Sequence, residues 1–206
     1  MKKTIFYVIV SCVIILIVYF HINKEKRFYR IEPYIKQTDK VLDFGCGHCC
    51  MVSKLKKRNI DTIGMDVRDE GVCYKPQLYD GYTIGYRDNA FDVTICNFVL
   101  HHIPHYRDIL HELKRVTKRY LIITEDTPRN NIDNYFCKLH AGSEWGKCTN
   151  CFLSSEQWSN LFTEKYGFTI IKRIDISRYE YPFADKPFIY PVPATTFILQ
   201  KKEIMY

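Results

Sequence analysis

The sequence has 206 residues, which is enough for one compact domain and not clearly enough for two. Apolar residues make up 47% of it and charged residues 26%, an ordinary balance for a globular domain, so the chain can bury a core. The formal net charge of +7 suits an anionic partner such as nucleic acid, anionic lipid or an acidic substrate, although a solvated basic surface explains it equally well.

Residues 1–23 form the first predicted element, a membrane anchor. No charged residue occurs between Thr4 and Asn23, and a helix of that length rises about 30 Å, the thickness of the hydrocarbon core of a bilayer. A cleaved signal peptide would have a shorter apolar core followed by small residues, and a buried core helix would show a polar face. The segment has neither feature, so we expect a single transmembrane helix, followed by a linker and a short helix over residues 24–37.

Flanking charge and cysteine usage both bear on the compartment. More positive charge follows the apolar segment than precedes it, which favours the cytoplasmic side for the main domain. The number of cysteines is odd and several lie inside apolar runs, which indicates reduced thiols rather than a disulfide framework. The nine cysteines are Cys12, Cys46, Cys49, Cys50, Cys73, Cys96, Cys137, Cys148 and Cys151.

Beyond the linker, strand-like and helix-like segments alternate. Short apolar runs predict buried strands, and a helical spacing of apolar residues predicts helices. The predicted strands are residues 40–44, 62–66, 91–97 and 120–124, and the predicted helices are residues 51–57 and 106–117. Such alternation is typical of a parallel sheet with helices on both faces.

The pattern changes near the C-terminus. Residues 168–171 and 196–199 are strand-like runs with no helix between them, and we expect a long loop rich in proline and aromatic residues over residues 179–193. Two such strands predict an antiparallel hairpin at one edge of the sheet. The predicted fold class is therefore α/β: a Rossmann-like, doubly wound, mostly parallel sheet with a C-terminal antiparallel hairpin, over residues 38–203.

A glycine turn follows the first predicted strand. Gly45 and Gly47 permit a sharp strand-to-helix turn and a close approach of the backbone to a ligand. Asp66 ends the next strand about 20 residues later, where a carboxylate can accept hydrogen bonds from two ribose hydroxyls. A nicotinamide-binding fingerprint would carry a third glycine where this chain has Cys50. Asp43 is an acid just before the turn.

The segment Val41-Leu42-Asp43-Phe44-Gly45-Cys46-Gly47 resembles the first motif of the class I S-adenosylmethionine-dependent methyltransferases. Further elements resemble that family in the same order: Asp80-Gly81, Asn89-Ala90-Phe91-Asp92, Asn97-Phe98-Val99-Leu100-His101-His102-Ile103 and Glu112-Leu113-Lys114-Arg115-Val116. The resemblance extends from about residue 38 to residue 200. It departs from the family at Gly85, which replaces a proline, and at Cys49, which replaces a third glycine and is expected to crowd the methionine end of the cofactor.

The resemblance implies that the cofactor is S-adenosylmethionine and that the reaction is direct displacement at its sulfonium methyl group. It implies that Asp66 holds the ribose, that Asp80 lies near the adenine amino group and that Asp43 lies near the methionine portion. The implied cofactor-binding residues are Asp43, Gly45, Gly47, Asp66, Asp80, Gly81 and Asn97.

Polar side chains follow the last two strands of the parallel set, on the ligand side of the sheet. His101 and His102 are the candidate catalytic residues, because either could act as a general base if the acceptor carries a proton that must leave. Alternatively, both histidines cap a helix or pack against the sheet. Glu125 and Asp126 either bind a substrate or begin the next segment.

A second constellation contains two pairs of potential metal ligands. Cys137 and His140 are three positions apart, as are Cys148 and Cys151, and thiolates and imidazoles at such spacing can bind tetrahedral zinc. The alternative is a set of reduced, partly buried thiols, with His140 lining the entrance of the active site. Aromatic residues around these pairs suggest a lid over the substrate.

The sequence therefore predicts a membrane-anchored methyltransferase that faces the cytoplasm and acts on a small-molecule, lipid or protein acceptor. Two alternatives stay open. The positive charge allows RNA methylation, although nucleic acid is not the expected partner, because the core domain lacks a basic run interleaved with stacking aromatic residues. Cys49 and Gly85 keep open a membrane-tethered interaction module that has the fold without turnover.

Overall fold

The computed structural model describes residues 10–11, 26–143, 148, 150–177 and 192–202. The strands are β1 (Lys40–Phe44), β2 (Asp61–Asp66), β3 (Gln77–Leu78), β4 (Phe91–Asn97), β5 (Thr117–Asp126), β6 (Phe168–Ile176) and β7 (Ala194–Lys201). The α-helices are α1 (Cys50–Lys56), α2 (Tyr106–Val116), α3 (Asn131–Ser143) and α4 (Ser155–Asn160). Residues 26–31 are also helical, and short helical turns occur at Glu32–Tyr34, Leu100–His102 and Leu161–Lys165.

The seven strands form one mixed sheet in the order β3-β2-β1-β4-β5-β7-β6. The first five strands run parallel to one another, and β7 is antiparallel to both β5 and β6. The strand order reverses between β1 and β4, which creates the crevice where open α/β sheets bind ligands. The predicted Rossmann-like sheet and its antiparallel C-terminal strands are therefore confirmed.

Side chains on both faces of the sheet are buried, which explains why the central strands lack alternating polarity. In β5, Leu121 and Ile123 pack into one core, and Ile122 between them packs into the other. The first core includes the apolar face of α2. The second core includes Phe28 and Ile31, so the predicted linker packs against the domain through its own helix.

No helix within the described residues is long and apolar enough to cross a membrane. The anchor predicted for residues 1–23 lies outside those residues, apart from Val10 and Ser11, which are helical.

Three disulfides occur within the described part of the chain: Cys46–Cys49, Cys50–Cys73 and Cys148–Cys151. The prediction of reduced thiols is therefore wrong for these six cysteines. The fold brings the start of α1 next to the loop after β2, and so pairs two cysteines 23 positions apart. Neither the odd number of cysteines nor their apolar neighbours reveals such a contact. Cys96 and Cys137 are buried and lie outside the three disulfides.

Candidate active site

The carboxyl ends of β1, β2, β4 and β5 meet at one edge of the sheet, as the parallel arrangement requires. Asp43, Asp66, Asn97 and Glu125 occupy the last or next-to-last positions of these strands. These three acids and one amide are spread over residues 43–125 of the sequence. The fold brings them to a single edge of the sheet.

The turn after β1 has left-handed backbone angles at its two glycines, a conformation that glycine adopts easily. Gly45 and Gly47 have φ angles of +69° and +48°, in the left-handed region. The backbone N–H groups of Gly45 and Cys46 donate to the carbonyl oxygen of Met65 at 2.8 and 3.1 Å, which fixes the turn to β2. A Cβ on Gly47 would have no neighbour within 4 Å, so the turn borders open space there.

Cys49 adopts the conformation of the glycine that it replaces. Its φ of 53° is left-handed, and it immediately precedes α1. Its side chain is fully buried and bonded to Cys46, and both sulfur atoms lie against Gly64 of β2. The Cys49 sulfur is therefore packed inside the protein against β2. The expected crowding of the cofactor's methionine end stays a prediction.

Asp66 links the end of β2 to the glycine turn. Its Oδ2 accepts a hydrogen bond of 2.8 Å from the backbone N–H of Gly47, and its Oδ1 accepts one of 2.7 Å from that of Val67. The carboxylate is thus held at the border of the open space next to Gly47. That is the position from which an acid can bind the hydroxyls of a ribose.

Asp43 is buried and carries an unusual carboxyl group. Burial, and to a smaller extent the negative charge of Asp66, raise the pKa of Asp43 from its ordinary value of 3.8 to about 7. The neutral form therefore persists close to neutral pH. A nearby cation would reverse this effect, because an opposite charge favours the ionised carboxylate.

This pKa predicts that S-adenosylmethionine binding strengthens as pH rises from 6 to 8. If the cationic cofactor requires ionised Asp43, the ionised fraction rises from about one tenth to about nine tenths over that range, and affinity rises about tenfold. In the free protein the native state binds the extra proton between pH 4 and pH 7, so the stability from this group falls as pH rises through that window.

Calorimetry at several pH values, with Asp43→Asn as the control, measures the effect. The cofactor's own amino group titrates near pH 8, but it does so equally with both proteins. A pH dependence that Asp43→Asn retains in full would show that Asp43 is not the group responsible.

Asp80 and Gly81 form a tight turn after β3. Asp80 Oδ1 accepts hydrogen bonds of 2.8 Å from the backbone N–H groups of Tyr82 and Thr83, which lowers the pKa of the carboxyl. Gly81 has a φ of +88°, and His105 Nε2 lies 2.9 Å from its carbonyl oxygen. Asp80 is exposed, and its second carboxylate oxygen is available on the adenine side that the resemblance implies.

Two residues of α2 hold the loop that follows this turn, a role that the sequence did not reveal. Glu112 Oε2 accepts a hydrogen bond of 2.9 Å from the backbone N–H of Ile84. Arg115 donates to the carbonyl oxygens of Ile84 and Tyr86 at 2.8 and 2.6 Å, and it pairs with Glu112 at 2.7 Å. The helical segment that resembles the family therefore stabilises the loop that follows Asp80 and Gly81.

Glu125 is a buried acid whose role the sequence leaves open. It is fully buried, and its Oε1 accepts hydrogen bonds of 3.0 and 2.7 Å from the backbone N–H groups of Val99 and Leu100. Its Oε2 lies 2.5 Å from His101 Nδ1. Glu125 belongs to β5 rather than beginning the next segment, and it anchors the helical turn that carries His101 and His102.

The predicted zinc ligands are not assembled as one set. Cys148 and Cys151 are bonded to each other, and His140 lies beside His101 and His102 instead. The spacing of two thiols three positions apart suits a disulfide as well as a zinc ligand pair, and the sequence cannot show which side chain approaches His140. The predicted zinc set of Cys137, His140, Cys148 and Cys151 is therefore wrong as a group. Two of its members form a disulfide, and His140 lies in a cluster with two other histidines.

A polar cleft of about 440 Å³ adjoins this cluster. Phe152 lines the cleft and stacks on His101 with ring centroids 4.8 Å apart. The other lining residues are Pro128, Arg129, Asn130, Asn131, Asn134, Ser154, Glu156, Gln157 and Asn160. Its volume is within the range of small-molecule sites.

Comparisons with known proteins identify the family and the fold. A family model described as a methyltransferase domain matches residues 22–173. No functionally curated protein matches the sequence.

Solved structures resemble the fold at low sequence identity. An S-adenosylmethionine-dependent methyltransferase from Archaeoglobus fulgidus has a TM-score of 0.65 and 17% identity, covering 85% of this chain and 92% of that one. One from Methanosarcina mazei has a TM-score of 0.63 and 17% identity, covering 83% and 96%. The cyclase SpnF has a TM-score of 0.59 and 18% identity, covering 80% and 74%, so the fold alone does not fix the reaction. Because the family model matches well over half of the sequence, the chain belongs to the S-adenosylmethionine-dependent methyltransferases.

Proposed function

We propose that this methyltransferase is anchored in a membrane and transfers the methyl group of S-adenosylmethionine to a polar acceptor at the cytoplasmic surface. The observation that carries the enzymatic part is the glycine turn held between Asp43 and Asp66, with open space beside Gly47. The anchor is supported by the uncharged run from Thr4 to Asn23, which matches the length of a membrane-spanning helix.

Cofactor binding is the first expected result. Calorimetry of the full chain in mild detergent should give one binding site for S-adenosylmethionine, with a dissociation constant in the micromolar range typical of enzyme ligands. Absence of binding at millimolar cofactor would contradict the assignment of this edge of the sheet as the cofactor site.

The chemical class of the methyl acceptor is inferred from the side chains that line the cleft beside Phe152. Amide side chains line it together with Arg129, Ser154 and Glu156, so an acceptor that enters there carries hydrogen-bonding groups. A neighbouring membrane would supply such groups at the headgroup level of lipids or on membrane proteins. The prediction that His101 or His102 acts as a general base stays a prediction, and it applies only if the acceptor loses a proton.

Methyl transfer from labelled cofactor to separated lipids, proteins and RNA tests the acceptor class. We expect label in the lipid or membrane-protein fraction. Label in RNA alone would support the nucleic-acid alternative. Cofactor binding without label in any fraction would support the inactive interaction module.

Protease protection in sealed vesicles tests the orientation. The flanking positive charge and the cytosolic cofactor favour the cytoplasmic side, whereas three disulfides are more usual in oxidising compartments. With the cytoplasmic face outward, we expect protease to digest the methyltransferase domain. Full protection there, lost on adding detergent, would place the domain on the opposite side.

A further inference from the structure

Three imidazoles and one carboxylate meet beside the polar cleft that Phe152 lines, although the chain supplies them from three separate segments. His101 and His102 belong to the helical turn after β4, His140 lies in α3, and Glu125 lies in β5. One ring nitrogen from each histidine lies within 4.8 Å of those of the other two. The centroid of the His101 ring is 4.1 Å from that of His102 and 5.4 Å from that of His140, and the His102 and His140 centroids are 5.2 Å apart.

Glu125 fixes the orientation of His101. Both side chains are almost fully buried, with 2% of His101 and none of Glu125 exposed. Because Nδ1 of His101 faces the carboxylate, Nε2 is the nitrogen that a metal ion would bind. A carboxylate on the second ring nitrogen is the usual companion of a metal-ligating histidine, since it fixes the tautomer and makes the ligand more basic.

The surroundings of the cluster suit a transition metal. All three candidate ligands are imidazole nitrogens, which suit zinc and related ions, whereas magnesium and calcium prefer oxygen. Phe152 stacks on His101, and its ring centroid lies 6.1 Å from that of His140. An apolar ring beside the ligands limits the access of water to the site.

We propose that His101, His102 and His140 bind one divalent transition-metal ion such as zinc, with Glu125 as a positioning residue. Three protein ligands leave at least one coordination position open, which is the pattern of catalytic rather than structural zinc sites. The open position would receive an oxygen atom of the methyl acceptor. That role rests on the proposed function, whereas binding of the ion does not.

Metal titration of the full chain in detergent, after treatment with a chelator, tests the site. Co²⁺ serves as the spectroscopic probe and Zn²⁺ as the competitor. We expect one ion per chain, and binding at least tenfold weaker for His102→Ala and for His140→Ala. For Glu125→Gln we expect a loss of about 10- to 100-fold. The glutamine amide can donate a hydrogen bond to Nδ1 of His101, which moves the ring proton to Nε2, the nitrogen proposed to bind the metal ion. The control is His111→Ala, an exposed histidine on α2 that should leave binding unchanged.

Several outcomes would overturn the proposal. One is a chain that binds neither ion at micromolar concentration. Another is binding that survives both His102→Ala and His140→Ala in proteins whose circular dichroism is unchanged. A third is binding lost on Cys148→Ser with Cys151→Ser but kept in His102→Ala, which would assign the ion to the cysteine-containing set. Cofactor calorimetry on metal-free protein keeps this result separate from the proposed function, because either ligand can bind while the other fails.

Discussion

Replacement of Asp66 with alanine is expected to weaken S-adenosylmethionine binding about 100-fold. Hydrogen bonds to a charged group contribute about 1.5–3 kcal/mol each, and two ribose hydroxyls would donate to this carboxylate, so a loss near 3 kcal/mol follows. The carboxylate also accepts a hydrogen bond from the backbone N–H of Gly47, so its removal frees the turn that borders the proposed cofactor site. Calorimetry with the folded variant measures the loss.

Two variants separate these contributions. Asp66→Asn keeps an oxygen that can accept from Gly47, and we expect an intermediate loss of affinity from the missing charge. Asp61→Ala removes an exposed acid at the other end of the same strand and should bind the cofactor as the unaltered chain does. If Asp66→Ala bound S-adenosylmethionine with unchanged affinity, Asp66 would have no role in holding the ribose.

The elements with strong local patterns were predictable from the sequence. The predicted strand over residues 40–44 coincides with β1, and the predicted helix over residues 106–117 exceeds α2 by one residue. An apolar run ending at glycine and a helical apolar stripe are short-range features, so no knowledge of the fold is needed to find them. The two residues of β3 are too few to show any periodicity.

The contacts that complete the site depend on the fold and were not predictable. Glu125 accepts hydrogen bonds from backbone N–H groups 25 and 26 positions earlier in the chain. Because these contacts are long-range, the sequence leaves the role of Glu125 open. Sequence spacing groups His140 with nearby cysteines, whereas α3 places it against His101 and His102. Spacing predicts ligand sets within one local segment, and this cluster joins separate segments of the chain.

The alanine variant of Gly45 is expected to lose about 2–4 kcal/mol of folding free energy. A left-handed φ costs a residue with a Cβ about 1 kcal/mol, and forcing atoms into a packed region costs about 1–3 kcal/mol more. The added Cβ would lie 2.3 Å from Cγ2 of Val99, which must therefore move together with the helical turn behind it. Denaturant unfolding measures the loss, and cofactor affinity should fall with it.

Gly47→Ala is the matched control because its φ is also left-handed while its Cβ meets no atom within 4 Å. We expect it to lose only about 1 kcal/mol of stability and yet to bind S-adenosylmethionine at least tenfold more weakly, since the added methyl group occupies the space proposed for the cofactor. Combining Gly45→Ala with Val99→Ala should cost less than the sum of the two single changes, because the clash is then relieved. Strict additivity would show that Val99 is not the obstacle, and full cofactor affinity in Gly47→Ala would place the cofactor elsewhere along this edge of the sheet.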